Sequence, residues 1–326
     1  MKTFSNLYFA KFEFAIEPKD VIILPEFKGS AFRGALGIAL RNFLCKNHTE
    51  DCGCIYGQIF EPIATKEEQE LLSIGKDKPR GFVIEPPMGN QRKFVKGENI
   101  KFKLILIGKM LEYIPYFIII FEQIGKRYGL GGKVDGKRGK FNLLEVCSGN
   151  KTIYSSKTKF FTSIFEKASY TIAENYRNKS TITINFITPT RIEILGERKL
   201  LNELDDFKTF IINLYRRFFL LDAIYCSPLR KYDQSTIEAG LDKVILIHSD
   251  LSINELERLA RNKVAKHTAG SEDDMYYERI KMHYDGFTGS IKFKGKLEPF
   301  LPLIYLGEYL HIGKYTTFGF GKYEIL

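Results

Sequence analysis

The sequence predicts an α+β protein of two tandem ferredoxin-like βαββαβ units with a C-terminal glycine-rich loop. Three observations carry that expectation. Alternating and helical-period stretches follow one another in the first half as strand, helix, strand, strand, helix, strand. The second half repeats the order less cleanly. The halves also end alike: GLGGKVDGKRGKFNLLEV (129–146) and GKYTTFGFGKYEIL (313–326) each follow an apolar helix containing a proline. Each then passes from a glycine and lysine loop into a strand opening Gly139-Lys140-Phe141 or Gly321-Lys322-Tyr323, as a duplication would. The expected division is residues 1–150 and 151–326.

In the first half, NLYFAKFEFAI reads as an aromatic-rich strand and GSAFRGALGIALRNFL as a helix, with Ser30 placed to cap it. A long polar excursion runs from Cys45 to about Arg80. GFVIEPP and IKFKLILIG read as strands, the second alternating at Lys101 and Lys103. MLEYIPYFIIIFEQIGKR reads as a buried helix with Pro115 near its start, and GKFNLLEV as the closing strand. In the second half, TITINFITPTRI predicts a strand and LNELDDFKTFIINLYRRFFLLDAIY a helix. VILIHS predicts a short strand followed by a helix capped by Ser252. RIKMHYDGFTGSIKFKG predicts a hairpin turning between Asp285 and Gly289. LEPFLPLIYLGEYL is expected as a helix with Pro302 in its first turn, and TFGFGKYEIL as the last strand.

A chain of 326 residues, 44% hydrophobic and 14% aromatic, has room for two globular domains with ample core. Its net charge of +10 implies a positive field, for which a phosphate polyanion is the commonest partner and an acidic membrane surface the rival. The segment MKTFSNLYFAKFEF has neither a sustained apolar core nor a small-residue cleavage site, so no signal peptide is expected. The longest apolar run, YIPYFIIIF, is far short of the roughly 20 residues of a membrane span. A soluble cytoplasmic protein is the expectation.

Three of the five cysteines, Cys45, Cys52 and Cys54, lie within ten residues of one another, while Cys147 and Cys226 are isolated, which is not a disulfide framework. With His48 the three offer the ligand types of a structural zinc site, although one residue between Cys52 and Cys54 is short for a zinc knuckle. Reduced, incidental thiols are the alternative. If zinc is bound, His48 is a ligand and not a catalyst.

Between Lys126 and Lys140, six basic residues, Lys133, Lys137, Arg138 and Lys140 among them, face one acid, Asp135, and are interleaved with glycines. Such a loop suits phosphate contact, since glycine lets backbone N–H groups approach and the cations neutralise charge; a merely solvated loop is the alternative. No Gly-Lys-Ser or Gly-Lys-Thr phosphate loop occurs. The start of GSAFRGALG offers a helix N-terminus beside Arg33, a second phosphate candidate. Among five histidines, His311 stands out because it ends a helix directly before Lys314, Tyr315, Thr316 and Thr317. Metalloprotease, serine hydrolase and glycosidase motifs are absent.

GFTGSIKFKG, the helix ending GEYLHIGK, and TTFGFGKYEIL resemble the C-terminal region of the CRISPR repeat-processing endoribonucleases of the RAMP superfamily. SAFRGALGIALRNFLC, CIYGQIFEP, FVIEPP and FITPTRI resemble the family's upstream landmarks. The resemblance implies two ferredoxin-like domains and an antiviral-defence hydrolase that cuts precursor CRISPR RNA within each repeat without a metal cofactor. The 2′-hydroxyl attacks the adjacent phosphate, leaving a 2′,3′-cyclic phosphate and a 5′-hydroxyl. It also implies that the glycine-rich loop, Gly313, Gly319 and Gly321, holds the RNA backbone, and that Lys314, Tyr315, Thr316, Thr317 and Lys322 contact phosphates. The candidates for the catalytic histidine are His311 and His48, with neither as the remaining alternative, and Lys314 is the stabilising cation. The partners implied are CRISPR repeat RNA and effector-complex subunits, with a homodimer left open. A non-catalytic RNA-binding subunit of such a complex is the rival function.

Overall fold

The computed structural model describes residues 4–45, 53–169, 179–194, 197–199, 206–254, 257–265, 275–283 and 285–326. The first sheet is built around β1 (Tyr8–Pro18), which pairs antiparallel with β3 (Ile100–Ile107) on one side and β4 (Phe141–Ser148) on the other. β2 (Phe82–Glu85) pairs with β3, so the order is β4-β1-β3-β2. Helix α1 (Gly29–Leu44) joins β1 to β2, and α4 (Ile114–Gln123), with Pro115 in its first turn, joins β3 to β4. This is βαββαβ with the fourth strand beside the first.

The expected polar excursion contains two short helices, α2 (Ile55–Phe60) and α3 (Lys66–Leu72). The second opens on a reciprocal cap: Thr65 Oγ1 accepts from the Glu68 amide while Glu68 Oε2 accepts from the Thr65 amide. The first sheet also runs past residue 150. Strands β5 (Lys151–Ser155) and β6 (Phe160–Phe161) extend it beyond β4, and β7 (Ala168–Ser169) pairs with the start of β1.

The second sheet repeats the plan. β8 (Thr181–Thr190) is flanked by β10 (Gly286–Gly295) and β11 (Tyr323–Ile325), and β9 (Val244–Asn254) lies outside β10. Helices α5 (Phe207–Tyr225) and α6 (Leu301–Leu310) are its crossovers. The matched strand openings fall where the duplication requires: Phe141 begins β4 and Tyr323 begins β11, each the fourth strand beside its first. The buried apolar residues of both units form one continuous cluster, so the sheets and helices share a core.

Several local expectations are corrected. Ser30 does not cap α1; the helix starts one residue earlier, with Lys28 at the cap, and Ser30 Oγ donates to the Phe27 carbonyl. The region after VILIHS is not a helix capped by Ser252. β9 continues to Asn254, and Glu257–Ala265 is a strand paired with Met275–His283. Long ladders over these segments outweigh the helix-forming character of NELERLARNK. For the same reason the expected hairpin is absent: β10 pairs with β9 and β8, and Met275–His283 pairs elsewhere.

Candidate nucleic-acid interface

A cleft of about 1790 Å³ lies between the two units. One wall is α1, which presents Arg33 and Arg41 on the same side, eight residues apart and therefore about two turns along the helix. Arg92 and Arg138 line the cleft from the first unit, Arg216 and Arg217 from α5, and Lys314 from the C-terminal loop. Asp77 and Glu193 are the acids of the lining, so the cleft is strongly positive.

Arg33 is held by a hydroxyl and two rings. Its Nε donates to Thr317 Oγ1 at 3.0 Å, and its guanidinium lies 4.4 Å from the ring centres of both Phe60 and Phe318. Stacking on two rings fixes the plane of the guanidinium, which lysine could not reproduce. The helix reaches this position because Gly29 has no side chain: a Cβ there would overlap the Phe318 carbonyl oxygen.

The glycines of the C-terminal loop behave differently from the expectation. Gly313, Gly319 and Gly321 have φ of 76°, 90° and 72°, in the left-handed region. The space a side chain would fill is taken by the protein itself: the Arg191 carbonyl at Gly313, Pro86 and the Ile84 carbonyl at Gly319, and the Ile312 carbonyl at Gly321. These glycines seat the loop on β8 and on the end of β2. Gly313 lines the cleft, and Gly319 and Gly321 stand outside its lining. The loop's contribution to the cleft is Gly313 to Phe318, including Tyr315, Thr316 and Thr317. Lys314 is exposed and ion-paired with Glu193 at 3.4 Å, a contact that a phosphate could replace at little cost.

His311 is fully buried, which corrects the expectation that it stands at the edge of an RNA approach. It ends α6 with φ of 63°, an uncommon angle for a residue with a side chain. Its Nδ1 is 2.9 Å from the Phe320 carbonyl, to which it donates, and its Nε2 is 3.2 Å from Glu85 Oε1. Lys322, also assigned to phosphate contact, lies instead 3.3 Å from Glu85 Oε2, and Lys11 lies 3.4 Å from Oε1. Burial pulls the His311 imidazole below its ordinary value, against the opposing pull of Glu85. Burial also acts to raise the Glu85 carboxyl, but the hydrogen bond and charge of His311, with Lys11 and Lys322, outweigh it and hold Glu85 well below the carboxylate range.

The basic loop of the first unit is a β-hairpin, Leu130–Val134 with Lys137–Gly139. Its turn is Asp135-Gly136, both at positive φ, as a tight two-residue hairpin requires. Lys133, Lys137, Arg138 and Lys140 are exposed on it, and Arg138 faces the cleft. His48 and Cys52 lie outside the described residues. Cys45 and Cys54 stand on either side of them, and among the described residues no three potential ligands are grouped to hold a metal. Among the described residues, too, no helix is long and apolar enough to cross a membrane.

The sequence reading missed Arg41, Arg92, Arg216 and Arg217. Apart from the adjacent Arg216 and Arg217 they are scattered along the chain, and only the topology gathers them. The Asp-Gly dipeptide was a local signal for the hairpin that the glycine and lysine content obscured.

Comparisons with known proteins agree with this architecture. A family model described as the CRISPR-associated endoribonuclease Cas6 matches residues 184–323, and the AF_1859_N model, described as an N-terminal domain, matches residues 7–174. The chain is 25% identical over 207 residues to an uncharacterized protein of Archaeoglobus fulgidus. That match covers 61% of this chain and 63% of the relative, less than two thirds of its length. A Thermus thermophilus Cas6 in a product complex has a TM-score of 0.50 at 13% identity, covering 98% of this chain and 100% of that one. A chain of a partial Cas6-RT-Cas1–Cas2 complex has a TM-score of 0.55 at 10% identity, covering 99% of this chain and 47% of that one. At these identities the structural likeness is one of fold, while the sequence models divide between the units: residues 7–174 belong to the AF_1859_N family, and residues 184–323 carry the Cas6 domain of CRISPR repeat-processing proteins.

Proposed function

We propose that the protein is an endoribonuclease that cleaves precursor CRISPR RNA within its repeats. The positive cleft between the two units carries this reading, because it joins cations, hydroxyl groups and stacked rings in one concave surface. RNA enters between α1 and the Gly313–Phe318 segment, with the Leu130–Gly139 hairpin as a further backbone contact. The 2′-hydroxyl next to the scissile phosphate attacks it, the 5′-oxygen leaves, and the products are a 2′,3′-cyclic phosphate and a 5′-hydroxyl. Such a reaction needs a proton acceptor, a proton donor and a cation at the phosphate.

Arg33 and Lys314 are placed to supply the cation. His48 is our candidate for proton transfer. In the sequence it follows Leu44, the last residue of α1, by four residues, and α1 is the helix that carries Arg33 and Arg41 into the cleft. The second reading, an RNA-binding subunit of an effector complex without catalysis, is favoured by one observation: among the described residues, no histidine lines the cleft.

The test is repeat RNA incubated with the protein in EDTA, beside RNAs carrying a single 2′-deoxy substitution at each position in turn. One cut that persists in chelator and vanishes at one deoxy position supports the enzyme. Tight binding without a cut supports the binding subunit.

A further inference from the structure

We propose that the buried Glu85–His311 pair is a positioning device that sets the Gly313–Phe318 segment against Arg33. Glu85 ends β2 in the first unit and is 4% exposed; His311 ends α6 in the second and is fully buried. The pair therefore bridges the two units on the side of the loop away from the cleft.

The imidazole touches both structures that must be held in register. Its Nδ1–H donates to the Phe320 carbonyl, so the ring ties together the two ends of the segment that intervenes between residues 311 and 320. Its Nε2 meets Glu85, which ties that closed segment to β2. The backbone agrees: the Ile312 amide donates to the Gly321 carbonyl at 3.0 Å, and the His311 carbonyl accepts from Arg217 Nε at 3.1 Å. At the far side of the same segment, Thr317 accepts from Arg33. A displacement at the Glu85 contact is thus passed, through the eight residues between His311 and Phe320, to the hydroxyl that orients Arg33.

Two features point beyond ordinary packing. A charged carboxylate is buried with an imidazole and two lysines where an apolar contact would be simpler, and the imidazole is carried by a residue at positive φ. Both are costs that a tie between two units at a defined distance would justify. His311 and Glu85 in this account touch no substrate and act through the loop.

The inference rests on the proposed cleft function for its activity readout but has a second readout that does not. The Arg33 Nε–H, held by Thr317 between two rings, should give a displaced, slowly exchanging signal in a 1H–15N spectrum of the RNA-free protein. In Glu85→Ala and His311→Ala we expect that signal to move toward the position of a solvated guanidinium. Glu85→Asp, a milder change that keeps the charge but shortens the reach, should move it in the same direction, while Glu85→Gln, which can still hydrogen-bond to His311, should restore it. In single-turnover assays, Glu85→Ala should slow cleavage at least about tenfold, as a small misplacement of a reacting group does, with RNA affinity falling by no more than the roughly fivefold expected for losing the Thr317 contact. An unmoved Arg33 signal in folded Glu85→Asp and Glu85→Ala protein overturns the proposal. If the wild-type protein cuts no RNA, the functional reading fails while the Arg33 signal still decides this one.

Discussion

Arg33 Nε donates to Thr317 Oγ1 at 3.0 Å across the boundary between the two ferredoxin-like units. The bond joins the first helix of the chain to its last loop, 284 residues later, at the centre of the positive cleft. The rings of Phe60 and Phe318 on either side leave the guanidinium little freedom to swing away.

This geometry makes Arg33→Lys a severe substitution despite the retained charge. Lysine neither stacks on both rings nor offers a planar fork, so we expect RNA affinity to fall about tenfold or more. Thr317→Val removes only the accepting hydroxyl and should cost about 1 kcal/mol, or about fivefold in affinity. Filter-binding titrations of the two variants give the comparison; equal affinity for Arg33→Lys and wild type would remove Arg33 from the RNA contact.

The two histidines of the sequence reading separate by assay. His48→Ala should reduce cleavage by about 100-fold or more and leave RNA affinity and thermal stability nearly unchanged, as expected for a proton-transfer group. His311→Ala removes a buried ring and strands the Glu85 carboxylate, so it should lower the melting temperature measurably. A His48→Ala protein that cuts at the wild-type rate would exclude His48 from the chemistry.

The Leu130–Gly139 hairpin is testable by salt. Lys137→Ala with Arg138→Ala removes two exposed cations, and each phosphate contact contributes about 0.7 to the slope of log affinity against log salt for a single strand. The double variant should bind more weakly and show a slope smaller by about 1.4. An unchanged slope means the hairpin stands clear of the RNA.

How much of this was legible beforehand follows from where the information lies. The βαββαβ repeat was readable because α1 and α5 carry apolar residues at helical spacing, and α4 and α6 have a proline at their start. Arg33 and the Tyr315–Thr317 segment were readable because helix start and loop are local features. The burial of His311 was not, since its partners Glu85 and Phe320 lie 226 and nine residues away and only the packing of one unit on the other encloses the ring. The glycines were half legible: their number implied a close approach of backbone, and the approaching backbone proved to be the protein's own.

The same buried cluster predicts an acid limb of stability. Glu85 is held below 4.5, so its contribution is fully present above that pH and is lost as pH falls further. Melting curves at pH 7, 5.5 and 4 should show wild type losing most stability between pH 5.5 and 4. Glu85→Gln should flatten that step; an undiminished step in that variant assigns it to other groups.

Glycine substitutions distinguish a loop built for packing from one built to admit RNA. Gly321→Ala would drive a Cβ into the Ile312 carbonyl and force a left-handed angle on alanine, at a cost of about 3 kcal/mol or more. Gly136→Ala, at the tip of the exposed hairpin, meets the same conformational strain with nothing within 4 Å and should cost only about 1–2 kcal/mol. If the C-terminal glycines served RNA approach, Gly321→Ala would lose no more stability than Gly136→Ala and would fail chiefly in binding. The overlap with Ile312 requires the reverse order: Gly321→Ala loses stability in the absence of RNA, and by clearly more than Gly136→Ala. Chemical denaturation of the two variants without RNA settles which backbone those glycines accommodate.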